Sequence, residues 1–310
     1  MLGGVRGEVG GVTYIGLQPQ NLSTPRSSAG LAQRRARANR NRGPTGRRTR
    51  LGCGAWSRPL PMPELPEAER ARELIERRAL NRTIAAVDDT DSYVCRPHAP
   101  GEIAAALAGH QLTSAHRRGK TLWVESGGPV LGLHLGMAGR FVVDQDPAPR
   151  GWDRFSLEFE GGGRLALRDK RRLSRAVLDP DLSRLGPDAA EATRAQFHER
   201  VGRGTTPVKA RLLDQSAIAG VGNLLADETL WRAGIDPRRS VGELEVDELD
   251  ALRRALRAAT RDAIRKGGVH TGNLIRERRR SGDCPRCGVK LERATVGGRT
   301  TFWCPRDQAL

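Results

Sequence analysis

Three short stretches hold residue types whose chemistry depends on their spacing. Near the C-terminus, CPRC (284–287) is followed by sixteen residues and then CPRD (304–307). Two such tight turns are the knuckles of a zinc ribbon, and they offer Cys284, Cys287, Cys304 and Asp307 to one tetrahedral Zn2+. Cysteine is the usual fourth ligand. A carboxylate can replace it, and a water at that corner, or no metal, stays open on the spacing alone. The intervening GVKLERATVGGRTTFW suits a hairpin with Gly297 and Gly298 at its tip, and Phe302 and Trp303 can hold its shape by packing.

The second stretch is MPELPEAE, residues 62–69. If the mature chain begins at Pro63, its nitrogen is a secondary amine with a pKa of about 8, so a useful fraction is neutral at pH 7. Attack by such an amine on the anomeric carbon of a sugar gives an iminium with no N–H to lose. That cation is an electron sink, which acidifies the neighbouring carbon and permits elimination of a phosphate. Glu64, next in sequence, can protonate the sugar oxygen or shuttle the proton. The plainer alternative is a helix start with carboxylates near its positive end. The third set is basic or amide-bearing. GVGN (220–223) feeds a helix from Asn223, where free backbone N–H groups can hold a phosphate or Asn223 can simply cap the helix. Lys120 in RRGKTLW, beside Arg117 and Arg118, is either a phosphate contact or an exposed loop lysine.

The elements that must position these groups fall into three regions. A helix is expected from Pro66, with Ala71, Leu74, Ile75 and Ala79 on one apolar stripe. Short strands follow in TLWVES, PVLGLHL and GRFVV. FSLEFE places Phe155, Leu157 and Phe159 inward against Ser156 and Glu158, and RLALR alternates in the same way. Strands so spaced predict an antiparallel sandwich or barrel. From about residue 190 the period becomes helical, in TPVKARLLDQ, in NLLADETLWRAG up to Gly234, and in VDELDALRRALRAATRDAIRKGG with apolar residues at 249, 252, 256, 259 and 263. The order predicts an α+β multidomain chain: a β domain, a helical domain and a small metal-type hairpin.

The formal charge of the 310-residue chain is +17, from 53 basic and 36 acidic residues. Residues 1–61 hold eleven arginines and one acidic residue, so the rest holds 42 basic and 35 acidic, a net +7. That body favours a polyanion, although a solvated surface is the bland account. No run approaches the length and apolarity of a membrane span. The five cysteines do not form a secreted disulfide framework and point to an intracellular, cytoplasmic protein. The Arg-rich head has nothing to bury and is expected to be disordered. It can be a nucleic-acid-binding tail, an organelle presequence or a stretch upstream of the true start at Met62, and the chemistry available to Pro63 favours the last.

In order, MPELPEAE, RRGKTL, LGLHLGMAGR, LLDQSAIAGVGNLLADETLWRAGIDP and CPRC…GRTTFWC resemble the formamidopyrimidine-DNA glycosylase / endonuclease VIII family over residues 62–308. The resemblance implies an N-terminal β-sandwich with its helix (62–185), a helix–two-turns–helix domain (186–275) and a zinc-finger hairpin (276–310), with double-stranded DNA bound between lobes of a monomer. It implies excision of oxidised bases followed by cleavage at the abasic sugar. Pro63 would be the Schiff-base nucleophile and Glu64 the proton-transfer group. Lys120 would contact DNA at the lesion and assist elimination. Lys209 and Asn223 would hold backbone phosphates, and Arg299 would grip the phosphate flanking the lesion. Met137 would fill the gap left by the everted base, Arg171 would probe the opposite one, and Leu173 would contact DNA from the same second wedge loop. A catalytically silent DNA-binding relative, with Pro63 blocked by the head, is the alternative. The chain departs from the family pattern in DKRRLS (169–174), where Leu173 replaces an aromatic, in WDRF (152–155), in Asp307, and in having only fifteen residues between Gly268 and Cys284. The last departure favours oxidised pyrimidines or ring-opened purines over 8-oxoguanine.

Overall fold

The structure is a computed structural model that describes residues 62–144, 151–279 and 282–309. The Arg-rich head therefore lies outside the described residues. Helix α1 (Leu65–Arg78) begins one residue before Pro66, because Glu64 is its N-cap and forms a reciprocal capping box with Glu67. Its buried face carries Leu65, Ala68, Ala71 and Ile75, and Ala79 closes it, also buried.

Eight strands and one short helix follow: β1 (Ile84–Asp88), α2 (Glu102–Leu107), β2 (Ser114–Arg118), β3 (Thr121–Glu125), β4 (Leu131–His134), β5 (Arg140–Asp144), β6 (Asp153–Phe159), β7 (Arg164–Arg168) and β8 (Arg175–Leu178). They make two four-stranded sheets, ordered β1-β6-β7-β5 and β2-β3-β4-β8, with every pairing antiparallel. Registers such as Leu122↔Leu133 and Leu157↔Leu165 put apolar side chains opposite one another. Both sheets, α1 and α2 share one core, in which Ile75, Leu122, Leu133, Phe155, Leu157 and Leu167 are buried together.

Simple alternation fails on the two inner strands of the first sheet. Phe155, Leu157 and Phe159 point inward as expected, but Ser156 is buried too. Arg164, read as outward, is fully buried and ion-paired with Asp153. Asp153 and Arg164 lie on neighbouring inner strands β6 and β7, so the buried arginine finds its partner within the sheet rather than in water.

The helical region contains α3 (Arg194–Val201), α4 (Val208–Leu213), α5 (Asn223–Ala233), α6 (Val246–Lys266) and α7 (Asn273–Glu277). Leu249, Leu252, Leu256, Ala259 and Ala263 form the buried stripe of α6, as their spacing predicts. They join Phe197, Leu212, Ile218, Leu225 and Leu65 in a second core. Leu65 is thus the point where α1, rooted in the first core, also enters the second. The chain ends in the hairpin of β9 (Glu292–Val296) and β10 (Arg299–Trp303), whose tip glycines have φ of 58° and 71°.

Leu252 is fully buried in that second core. Leu252→Ala is expected to lower unfolding free energy by about 2–5 kcal/mol in urea titration, by lost burial plus the cavity left behind. A loss under about 1 kcal/mol would show that α6 does not organise the helical core.

Candidate active site

Glu64 is the centre of the site. Its side chain is 1% exposed, and its carboxylate accepts three backbone hydrogen bonds, from Gly222 N (3.0 Å), Leu224 N (2.8 Å) and Leu225 N (2.9 Å). These are the free donors at the start of α5, so the N-cap acid of one helix also caps another. The fit depends on a missing side chain: a Cβ on Gly222 would lie 2.3 Å from Glu64 Cδ. GVGN, read as a phosphate cradle or a plain cap, spends its amides on Glu64. The amide bonds and nearby Lys120 favour the anion, but burial outweighs them and raises the carboxyl to about 7. Such a group both gives and takes a proton near neutral pH.

Lys120 stands on the turn between β2 and β3 and donates to Val221 O at 2.9 Å, which brings it onto the same GVGN loop. Burial holds its ammonium below the usual lysine range; Arg299 pushes the same way, while Glu64 and Glu67 oppose. Arg299, exposed on β10, is therefore close enough for its charge to act on Lys120. Arg117, expected as part of a basic loop, instead points inward to Glu69 (2.7 Å) and Asp188 (2.5 Å), and Asp188 also accepts from Gly119 N at 2.6 Å. Those bonds fix the turn that carries Lys120.

Pro63 lies at the edge of a cavity of about 450 Å³, lined also by Glu67, Arg70, Leu74, Phe141 and His270. Glu67 shapes one wall by accepting from Glu64 N (3.0 Å) and Val269 N (2.8 Å), joining the start of α1 to the segment after α6. Leu135, Ala138 and Gly139 line the same cavity, so the loop bearing Met137 borders it. Met137 is 37% exposed, unusual for a large apolar side chain. Arg171 is exposed and Leu173 half-buried on the loop 169–174. Asp169 organises that loop, accepting from Arg171 N (2.8 Å), Leu173 N (2.7 Å) and Ser174 N (2.8 Å). The two loops touch: a Cβ on Gly136 would lie 2.2 Å from Leu173 O.

Lys209 does not face the cleft. It is fully buried, 2.6 Å from Asp227, and also bonded to Thr301 Oγ1 at 2.6 Å, because a lysine on this inner face of α4 is stabilised there only beside a buried acid. Asn223 gives its side-chain N–H to Thr300 O at 3.1 Å. Sequence reading also passed over Glu67, His134 and Asp169. His134 accepts from Gly136 N at 2.9 Å and is held below the ordinary imidazole range by burial and then Lys120. An acid before a short polar turn, as in DKRRLS, is a recognised turn signal that marks Asp169. Nothing local distinguished Glu67 from its neighbours.

The ligand atoms of Cys284, Cys287, Cys304 and Asp307 all lie within 4.8 Å of one another. Cys287 and Cys304 sulfurs are 3.4 Å apart, and Cys284 Sγ is 3.2 Å from Asp307 Oδ2. Tetrahedral zinc with bonds of about 2.3 Å sets ligand atoms about 3.8 Å apart, so this cluster fits the ion with small adjustments. Three thiolates and one carboxylate are positioned to bind a metal ion.

Residues 62–176 match the family model described as the formamidopyrimidine-DNA glycosylase N-terminal domain, 185–273 its H2TH domain, and 284–310 the zinc finger found in FPG and IleRS. Over 273 residues the chain is 35% identical to the formamidopyrimidine-DNA glycosylase of Chloroflexus aggregans, covering 80% of this chain and 99% of that one. This chain belongs to the formamidopyrimidine-DNA glycosylase family. The homologous enzyme of Nocardioides is 34% identical, covering 79% of this chain and 93% of its own. Among solved structures, Lactococcus lactis Fpg in complex with abasic-site DNA is similar with a TM-score of 0.71 and 27% identity, covering 80% of this chain and 100% of that one. MutM in complex with DNA containing carbocyclic 8-oxo-G gives 0.72 and 29%, with the same coverage. The α+β architecture of antiparallel sheets, helical H2TH domain and zinc-finger hairpin is thus the family's own, and the expectation of a zinc site is met by the finger and its cluster. Among the described residues no helix is long and apolar enough to cross a membrane.

Two outcomes test the site directly. Lys120→Met removes a cation that lowers the Glu64 carboxyl, so the Glu64 titration should move above about 7, as followed by carboxyl NMR; a downward move would contradict the assigned electrostatics. Asp307→Cys should tighten zinc binding in competition with a chromophoric chelator, because a fourth thiolate suits this ion well. Equal or weaker binding would show that Asp307 does not occupy the fourth corner.

Proposed function

We propose that this chain is a base-excision DNA glycosylase with abasic-site lyase activity, acting on double-stranded DNA through the Pro63 nitrogen. The observation that carries the reading is Glu64: a carboxyl poised near pH 7, buried beside Lys120, on the residue next to Pro63. A damaged base turned out of the duplex enters the cavity beside Pro63, at a cost of a few kcal/mol of stacking. Met137, Arg171 and Leu173, on two loops in contact, fill the gap it leaves. Arg299 and Lys120 supply positive charge to the phosphates on either side.

The neutral Pro63 nitrogen attacks C1′, and the base departs with the electron pair of the glycosidic bond. The nitrogen loses its proton, Glu64 delivers one to O4′, and the sugar ring opens to an iminium. Loss of a C2′ proton feeds electrons into that iminium and expels the 3′ phosphate. Water then hydrolyses the imine and frees the enzyme. The step requires a Pro63 nitrogen free of its peptide bond to Met62. With that bond intact the nitrogen is an amide and the silent reading applies. Zinc, held by Cys284, Cys287, Cys304 and Asp307, supplies no group to these steps and serves to fix the finger that carries Arg299.

For the lesion, the cavity offers the cationic groups Arg70, Arg77 and Arg140, with the His270 ring, around Leu74 and Phe141. Beyond Gly268 the chain forms α7 by Asn273, which supports an open-edged pocket rather than one capped by a long loop. Oxidised pyrimidines and ring-opened purines suit such a pocket. The protein is proposed to act as a monomer in the cytoplasm.

Borohydride trapping on abasic-site DNA tests the nucleophile. Protein made from Met62 should yield a covalent adduct, Pro63→Gly much less, and the unprocessed 310-residue chain little. Equal trapping by an unprocessed chain, checked by intact mass, refutes Pro63. Glu64→Gln should slow formation of the trapped iminium by about 10²-fold or more, since an amide cannot deliver the proton that opens the sugar ring; trapping at the native rate would remove Glu64 from that role.

A further inference from the structure

We infer that Asp227 is a positioning residue for the DNA-gripping hairpin, holding the buried Lys209 and the partly buried Arg278 against the backbone next to Arg299. Resting on the reading of Arg299 as a phosphate contact, the inference concerns how that arginine is aimed. Asp227 lies on α5 and is 1% exposed. Lys209 Nζ stands 2.6 Å from Asp227 Oδ1 and Arg278 Nε 2.7 Å from its Oδ2. Both cations then reach the same carbonyl. Thr300 O accepts from Arg278 Nη2 at 2.7 Å, Lys209 Nζ at 3.3 Å and Asn223 Nδ2 at 3.1 Å. Asp227 Oδ2 also accepts from Phe302 N at 3.2 Å, and Arg278 covers the Phe302 ring at 5.1 Å.

Thr300 immediately follows Arg299, so three donors from α4, α5 and the end of α7 fix the peptide that sets the direction of the Arg299 side chain. One of the three, Asn223, opens the helix whose amides hold Glu64. Arg299 is therefore registered to the same helix start as the proton-transfer group. Two cations meeting at one carbonyl repel each other strongly in a dry interior and stay together only with a carboxylate between them. Without that charge Lys209 can lose its proton, but Arg278 cannot. Arg278, the only one of the pair with a partly exposed side chain, then turns toward water and releases Thr300. This assignment gives Lys209 a role inside the protein in place of a phosphate contact.

The test is a double-mutant cycle on the full chain, reading affinity for a duplex with a tetrahydrofuran abasic analogue by fluorescence anisotropy, a measurement that needs no covalent step. Arg299→Ala in the native background should weaken binding roughly tenfold and lower the salt slope by about one. With Asp227→Asn already present, Arg299→Ala should cost no more than about threefold further and leave the slope unchanged, because the arginine is no longer aimed. Full additivity, with the slope still falling by one, overturns the inference while leaving Arg299 as a DNA contact. No effect of Arg299→Ala in the native background overturns both. If Asp227→Asn does not fold, Arg278→Lys keeps the charge but loses the fork between Asp227 and Thr300, and the same cycle decides.

Discussion

The site depends on a carboxylate set where a helix has spare amides. Glu64 is withdrawn from water, and an isolated buried anion would be prohibitive. The start of α5 makes it tolerable by supplying three N–H donors, and Lys120 adds a cation bonded to the same loop. Compensation is incomplete, which is why the carboxyl rises to about 7 instead of falling. An acid with ordinary affinity for protons would be fully ionised at neutral pH and of little use as a donor. The three bonds hold Glu64 between two cores, and its burial there, not the bonds, raises the carboxyl into the range its proposed proton-transfer role uses.

That joint spreads outward. Leu65, next in line, belongs to the helical core although α1 otherwise packs on the sheets, and its N–H bonds to Gly220 O at 3.1 Å. Glu67, one turn on, repeats the theme by bonding Val269 N. The segment ELPE therefore presents its carboxylates to two different backbone segments of the helical domain. Pro66 is accommodated within the first turn, where no intrahelical N–H is needed.

Much of this was legible in the order of residues. The periodic stripe of α6, the ligand spacing of the finger and the proline-led start of α1 each follow from a local rule, and each is found. Strands β1 and β2 were not foreseen, since IAAVD is rich in alanine and SAHRR carries no alternation. Lys209 was misread for a different reason. A basic residue on a helix of a basic protein looks like a phosphate ligand until its partner is known, and Asp227 lies 18 positions away in the chain. The inward turn of Arg117 is of the same kind, its partners being Glu69 and Asp188. Pairings across long separations decide which charges are spent internally, and no window of sequence contains them.

The contact of Gly136 with Leu173 O constrains what this chain can become. With no room for even a methyl group between them, the apolar finger at 137 and the arginine-bearing loop cannot be redesigned one at a time. A larger residue at 136 would pry the pair apart and displace Met137 and the 169–174 loop together. Backbone changes in one segment must therefore be matched in the other, whereas side chains at 171 and 173 can vary and leave the shared backbone seam untouched.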